Sequence, residues 1–177
     1  MPRLFTGLEI PEDLAHDLAM LRGGMSGARW MDASDYHITL RFLGDIDDST
    51  AHEAASALSG IRRAAFDLRF TGLTSFGGRK PRAVVAEAAT PQALMDLQAE
   101  QERLMQRIGL APEGRKYIPH VTLARLRTSS SRDVADYLAA RGLFRTPEVR
   151  VARFVLYSSR ASTGGGPYVV EQSYSLS

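Results

Sequence analysis

The chain has 177 residues, of which 44% are hydrophobic and 24% charged, the composition of an ordinary soluble globular protein. Its net charge of +2 permits a phosphate-bearing ligand but is too small to indicate a duplex nucleic-acid binder. The absence of cysteine excludes disulfides, thiol nucleophiles and cysteine-ligated zinc. No apolar run approaches the roughly 20 residues of a membrane span, and the start MPRLFTGLEI lacks a signal-peptide pattern. We therefore expect a cytoplasmic protein with no membrane partner.

Hydrophobic periodicity predicts alternating strands and helices in the first half of the chain. In chain order these are a strand in LFTGLEI, a helix that begins near Pro11, a strand in YHITLRFLG, a helix in DIDDSTAHEAASALSGI, and a hairpin made of FDLRFTGLTSF, the turn GGRKP and RAVVAEAA.

The second half repeats this order. It has a helix that begins near Pro91, a strand in YIPHVTLARLR, a helix in SSSRDVADYLAARG, and a hairpin made of VRVARFVLYSS, the turn ASTGGGP and YVVEQSYSL. His37 and His120 lie 83 positions apart in matching His-x-Thr-Leu tetrads, and the helix and strand that follow keep this offset. Coincidence among short amphipathic segments is the alternative, but internal duplication accounts for more of the chain.

This repetition predicts an α+β fold of two similar lobes, with antiparallel-rich sheets facing a central cleft and helices on the outside. We expect one domain over residues 1–177, built from approximate repeats 1–88 and 82–177. The strand near 82–89 would close the first hairpin and open the second repeat.

The polar pairs in the two tetrads are the candidate functional residues. Side chains alternate faces along a strand, so His37 and Thr39 should share one face, and Ile38, Leu40 and Phe42 the other. His120 and Thr122 should likewise share a face. In a single strand such a histidine is most often only hydrogen-bonded. Two matching pairs related by a twofold axis would instead converge on the cleft.

Two histidines and two threonines suit phosphodiester cleavage. One imidazole can accept a proton from water while the other donates one to the leaving oxygen, and the hydroxyls can bind the non-bridging oxygens. A metal site is the less favoured alternative, because the His-x-His and His-Glu-x-x-His spacings are absent. The remaining histidines, His16 and His52, fall on predicted amphipathic helices and should face solvent.

These motifs resemble the two-histidine (2H) phosphoesterase superfamily, and within it the RNA 2′,3′-cyclic phosphodiesterases, historically called 2′-5′ RNA ligases. The resemblance is carried by paired tetrads and by the stretches RLFTGLEIP, FTGLTSFGGRKPRAVVAE, PHVTLAR and LYSS. It implies metal-independent opening of a terminal cyclic phosphate on RNA or a nucleotide to a 2′-phosphate, with no cofactor. In vitro, some members of this family also join or cleave 2′-5′ linkages in tRNA halves.

By the same resemblance, His37 is the proton donor, His120 the proton acceptor, and Thr39 and Thr122 bind the phosphate. Arg125 matches a family arginine near the phosphate or base, although strand alternation alone would put it opposite His120 unless a bulge redirects it. The family often has an aromatic residue in the first strand where this chain has Thr6.

Several alternatives stay open at the level of sequence. A sibling phosphoesterase could act on 2′-5′ oligonucleotides or another small cyclic phosphate, and an RNA-end-binding module could retain the pocket without turnover. One of two basic groups, Arg79–Arg82 or Arg115–Lys116, could guide RNA. The segment SSRASTGGGPY is expected to be a hairpin turn, Trp30 a core residue, and the protein a monomer.

Overall fold

The computed structural model describes residues 3–159 and 167–177, and its secondary structure alternates as the sequence predicts. The Gly-rich turn expected near 160–166 lies outside the described residues. Within the described part the elements are β1 (Arg3–Glu9), α1 (Glu12–Ala19), β2 (Ala28–Trp30), β3 (His37–Asp45), α2 (Asp48–Ser59), β4 (Phe66–Leu68), β5 (Phe70–Phe76), β6 (Ala83–Ala88), α3 (Gln92–Arg107), β7 (His120–Leu126), α4 (Ser131–Arg141), β8 (Val149–Val151), β9 (Arg153–Ser159) and β10 (Val169–Ser175).

The described strands form two four-stranded antiparallel sheets and one small ribbon. The first sheet has the order β10-β9-β1-β3, and the second has the order β2-β7-β6-β5. The strands β4 and β8 pair with each other. The two large sheets contact each other along β3 and β7, the strands that contain the two His-x-Thr pairs. The predicted α+β fold with facing antiparallel sheets is therefore confirmed.

Each sheet combines segments from both halves of the chain. The first-half strand β5 lies in the second sheet beside β6, and the second-half strands β9 and β10 lie in the first sheet beside β1. The strand β6 closes the hairpin with β5 and also pairs with β7. Because the halves exchange hairpins, neither repeat forms a sheet by itself, which sequence periodicity alone did not indicate.

The helices begin where the sequence predicts. Pro11 and Pro91 are the N-cap residues of α1 and α3, where a missing N–H costs nothing. Asp47 caps α2 by accepting a hydrogen bond from the Thr50 N–H at 2.7 Å. Ser130 and Asp133 form a reciprocal capping box at α4.

All four described helices pack on the sheet faces turned away from the cleft. Leucines of α1, α2 and α3 share one apolar core with Ile38 and Leu40 of β3 and with Val121 and Leu123 of β7. This burial fixes the inward face of both strands and leaves the opposite face for the polar pairs. None of the described helices is long and apolar enough to cross a membrane.

Candidate active site

His37 and His120 are held by the same local hydrogen bond in the two halves. The Nδ1 atom of His37 lies 2.9 Å from the backbone oxygen of Asp35, and Nδ1 of His120 lies 2.7 Å from that of Ile118. A carbonyl oxygen only accepts, so Nδ1 carries the hydrogen in both rings. In the neutral tautomer, each Nε2 atom is then left as a proton acceptor.

Thr39 completes the first pair. Its hydroxyl lies 3.0 Å from Nε2 of His37 and donates a hydrogen bond to that nitrogen in the neutral tautomer. Thr39 and Thr122 are both half-buried. The residues immediately before and after each threonine are buried in the core. The expected sharing of one face by each His-x-Thr pair agrees with this pattern.

A bulge interrupts each of these strands at the same repeat position. In β3 the pairing with β1 skips Leu40, and in β7 the pairing with β6 skips Leu123. Each bulge adds one residue to its strand. The residues that follow the bulge therefore project from the face opposite to the one that strict alternation predicts. A bulge in β7 was the condition for Arg125 to reach the site, and the structure contains it.

The bulge also overturns the expectation that Phe42 faces away from His37. Phe42 is 52% exposed, and its ring centroid lies 5.6 Å from that of Phe5, which itself lies 5.0 Å from His37. Phe42 and Arg125 occupy the same position in the two repeats, 83 residues apart. One wall of the cleft therefore has an aromatic ring where the other has a guanidinium.

Aromatic residues surround His37 on the first sheet. Phe5 stacks on Tyr157 at 5.0 Å, and Tyr168 contacts the His37 ring edge-on at 4.8 Å. The aromatic residue of the first strand beside His37 is thus Phe5. Thr6 faces the core, where its hydroxyl donates to Oε1 of Gln101 at 2.5 Å. The alternation of Leu4, Thr6 and Leu8 on the buried face could have revealed this from sequence.

Arg125 lies close to both His37 and Tyr168. Burial raises the pKa of Tyr168 and lowers that of His37, and the positive charge of Arg125 lowers both. A residue of β7 thus acts electrostatically on the first sheet across the cleft. His120 and Arg125 thus act electrostatically on His37, Thr39 lies at the Nε2 atom of His37, and Thr122 follows His120 on β7.

The two histidines differ in their electrostatic surroundings. Burial lowers the pKa of His37 to about 4, against a raising effect of its bond to Asp35, with further lowering by His120 and Arg125. Burial also lowers the pKa of His120, but the Ile118 carbonyl and the Glu87 carboxylate oppose it. Positive charge is consequently better tolerated on His120 than on His37 in the empty cleft.

Burial is the largest influence on both histidines, and each of them also faces a glutamate at an equivalent register position. Glu9 lies directly across from His37 in the β1–β3 pairing, and Glu87 directly across from His120 in the β6–β7 pairing. Glu9 accepts two hydrogen bonds from Arg153, at 2.6 and 2.9 Å. Glu9 is therefore paired with Arg153, whereas the charge of Glu87 acts on its histidine.

The other residues considered from sequence lie outside this cluster. His16 and His52 are exposed on α1 and α2, as expected. Trp30 is half-buried against Tyr137 at 5.6 Å, which confirms a core role. The basic groups Arg79–Arg82 and Arg115–Lys116 lie in connecting loops. Within the described residues, no three His, Asp or Glu side chains gather closely enough to hold a metal ion.

The duplicated α+β fold with a His-x-Thr pair on each facing strand defines a two-histidine phosphoesterase. The family model described as LigT-like phosphoesterase matches the chain twice, over residues 8–86 and 85–168. The chain belongs to this LigT-like phosphoesterase family.

Curated relatives and solved structures agree with this assignment. An RNA 2′,3′-cyclic phosphodiesterase of Bacillus subtilis is 32% identical over 130 residues, 70% of this chain and 71% of the relative. One of Aquifex aeolicus is 29% identical, over 84% of this chain and 81% of the relative. Escherichia coli LigT complexed with 3′-AMP has the same fold, with a TM-score of 0.79, 24% identity and coverage of 100% of this chain and 99% of that one.

Proposed function

We propose that this protein hydrolyses terminal 2′,3′-cyclic phosphates of RNA or of nucleotides to 2′-phosphates. The observation that carries the proposal is the convergence of two His-x-Thr pairs on one cleft, each histidine with Nδ1 bonded to a carbonyl and Nε2 available for proton transfer. The names of the curated relatives supply the substrate class.

In the proposed reaction, a water oxygen attacks phosphorus while the bond from phosphorus to the 3′ oxygen breaks. His120 accepts the water proton at Nε2, and protonated His37 donates a proton from Nε2 to the departing 3′ oxygen. The products are a 2′-phosphate and a 3′-hydroxyl. Protons are conserved, and the protein returns to its starting charge when the proton on His120 is exchanged for one on His37 through solvent.

The donor and acceptor roles follow the resemblance to the family, and the electrostatic difference between the histidines affects how readily each of them releases or holds its proton. An imidazolium at His37 is destabilised by burial and by Arg125, so it gives up its proton readily once the bound phosphate anion has allowed protonation. The imidazolium formed at His120 is stabilised by Glu87. Protonation of His37 at Nε2 also reverses its bond with Thr39 and frees that hydroxyl to donate to a phosphate oxygen.

Thr39, Thr122 and Arg125 would hold the phosphate. The hydroxyls donate to the non-bridging oxygens, where negative charge accumulates in the transition state. Arg125 adds a permanent positive charge within reach of His37. We further propose that the protein acts as a monomer in the cytoplasm, since its two halves already supply both walls of the cleft.

The test is hydrolysis of a 2′,3′-cyclic mononucleotide and of a short RNA with a cyclic phosphate end, both in excess EDTA. Chromatography against 2′- and 3′-phosphate standards identifies the product. We expect the 2′-phosphate alone from both substrates. A 3′-phosphate product, or no product at enzyme concentrations where binding is saturated, would refute the proposal.

A further inference from the structure

A row of arginines continues from the cleft along the second sheet. Arg29 of β2 lies directly across from Arg125 of β7 in their antiparallel pairing, and residues paired in this way project from the same face of a sheet. The N–H of Arg127 bonds to the oxygen of Gly27, which extends the pairing by one more step. We call Arg29, Arg125 and Arg127 the basic row.

The side chains of the basic row face the cleft side of the sheet. The charge of Arg125 acts on both His37 and Tyr168 of the cleft. The neighbours of the row face the other way, because Trp30 packs on Tyr137 and Leu126 on the same core. Strand alternation then puts Arg29 and Arg127 on the face of Arg125.

All three arginines are exposed and available to a ligand. None of the ion pairs found among residues 3–159 and 167–177 involves any of these three arginines. Guanidinium groups with free N–H donors bind phosphate oxygens in two-pronged fashion. The row therefore provides anion-binding capacity beyond what a single cyclic phosphate uses.

The two walls of the cleft differ at this point. The repeat position that holds Arg125 holds Phe42 on the first sheet, and β3 is the last strand of that sheet. The second sheet instead continues past β7 to β2, about 4.8 Å from β7. The basic row thus continues beyond β7, which suits a chain of phosphates leaving the cleft over the second sheet.

We propose that the basic row binds the phosphodiester backbone of RNA upstream of the reacting end, so that the enzyme prefers RNA ends to cyclic mononucleotides. This inference rests on the proposed function for the position of the reacting phosphate. A mononucleotide ends at that phosphate and meets Arg125 alone. A longer RNA brings further phosphates to Arg29 and Arg127.

The experiment compares kcat/KM for a 2′,3′-cyclic mononucleotide and for a short RNA with the same terminal nucleotide and a cyclic phosphate end. For Arg29→Gln we expect a loss on RNA about tenfold larger than the loss on the mononucleotide, the size of one charge-assisted contact. The slope of log(kcat/KM) against log salt for RNA should fall by about 0.7 for each contact removed. Arg127→Gln should act in the same direction.

Arg107→Gln is the matched control, because this substitution lowers the net charge by the same amount. Arg107 is exposed on α3, on the outer side of the first sheet. Equal losses on both substrates, or an Arg107→Gln effect as large as that of Arg29→Gln, would refute the proposal that the basic row binds RNA. Binding of a 3′-phosphate-ended RNA, followed by fluorescence anisotropy, separates the two proposals. If Arg29→Gln weakens binding of that RNA but the wild type hydrolyses neither substrate, the role of the basic row in RNA binding is supported and the proposed hydrolytic function is refuted.

Discussion

The hydroxyl of Tyr117 donates a hydrogen bond to the backbone oxygen of Thr39 at 2.8 Å. Tyr117 lies three residues before His120, in the segment that leads into β7, whereas Thr39 belongs to β3. The bond therefore joins the two strands that contain the His-x-Thr pairs, which belong to different sheets and share no ladder of backbone hydrogen bonds. Burial raises the pKa of Tyr117, so the hydroxyl stays protonated and remains a donor over the whole working pH range.

Tyr117→Phe should lower kcat by more than its loss of stability would explain. Removing the hydroxyl leaves a carbonyl partly unsatisfied and should cost about 1–2 kcal/mol of unfolding free energy. It should also loosen the spacing between His37 and His120, and in-line proton transfer is sensitive to such displacements, so we expect kcat to fall about tenfold with little change in KM.

Tyr137→Phe is the control for this substitution. Tyr137 also donates to a backbone oxygen, that of Leu21 at 2.6 Å, but it lies on α4 away from the cleft. Both variants should lose similar stability in urea unfolding, and only Tyr117→Phe should lose kcat. A parallel loss of kcat in Tyr137→Phe would show that general destabilisation, not strand spacing, is responsible.

The histidines should matter more than the threonines. His37→Ala and His120→Ala each remove a proton-transfer group, and each should reduce kcat by about 10²–10⁴-fold. Thr39→Ala and Thr122→Ala remove one hydrogen-bond donor apiece and should cost less. Steady-state kinetics on a cyclic mononucleotide, with circular dichroism to verify folding, measures all four. Near-normal turnover in both histidine variants would exclude acid–base catalysis by this pair.

The paired tetrads and the order of strands and helices were predictable because they depend on local periodicity. The faces of His37, Thr39, His120 and Thr122 follow from period two over three residues, which no bulge interrupts. Pro11 and Pro91 marked helix starts because proline has a position-specific backbone cost. Local chemistry therefore sufficed for the centre of the site.

Features that depend on pairing between distant strands were not predictable. The bulges at Leu40 and Leu123 are visible only in the register with β1 and β6, and they decide where Phe42 and Arg125 point. The strand β2 has three residues, too few for a periodic signal, so Arg29 was not recognised as a neighbour of Arg125. The exchange of hairpins is likewise a property of the whole chain.

Glu87→Gln should shift the pH dependence of catalysis. In the proposed reaction His120 accepts a proton and must be neutral, so kcat/KM rises as pH rises through its pKa. Glu87 raises that pKa, and its removal should therefore move the acidic limb to lower pH. Glu9→Gln is the comparison, because Glu9 is paired with Arg153 and lies across from His37, not His120, so its limb should stay in place. Equal shifts in both variants would contradict the assigned difference between the two glutamates.

His37 should make the folded protein less stable in mild acid. Its pKa in the folded state is lowered to about 4 from an ordinary value of 6.5. Above pH 6.5 the ring is neutral in both states and has no linkage effect. As pH falls below 6.5, the unfolded chain binds a proton that the folded protein does not, so stability falls until about pH 4.

From pH 7 to pH 5 this single group should remove about 2 kcal/mol of unfolding free energy. The comparison is urea unfolding of the wild type and of His37→Gln at both pH values. Other titrating groups are common to the two proteins, so the wild type should lose about 2 kcal/mol more than the variant. If the two proteins lose the same amount, His37 does not titrate abnormally in the fold, and the electrostatic basis for its role as a strong acid is lost.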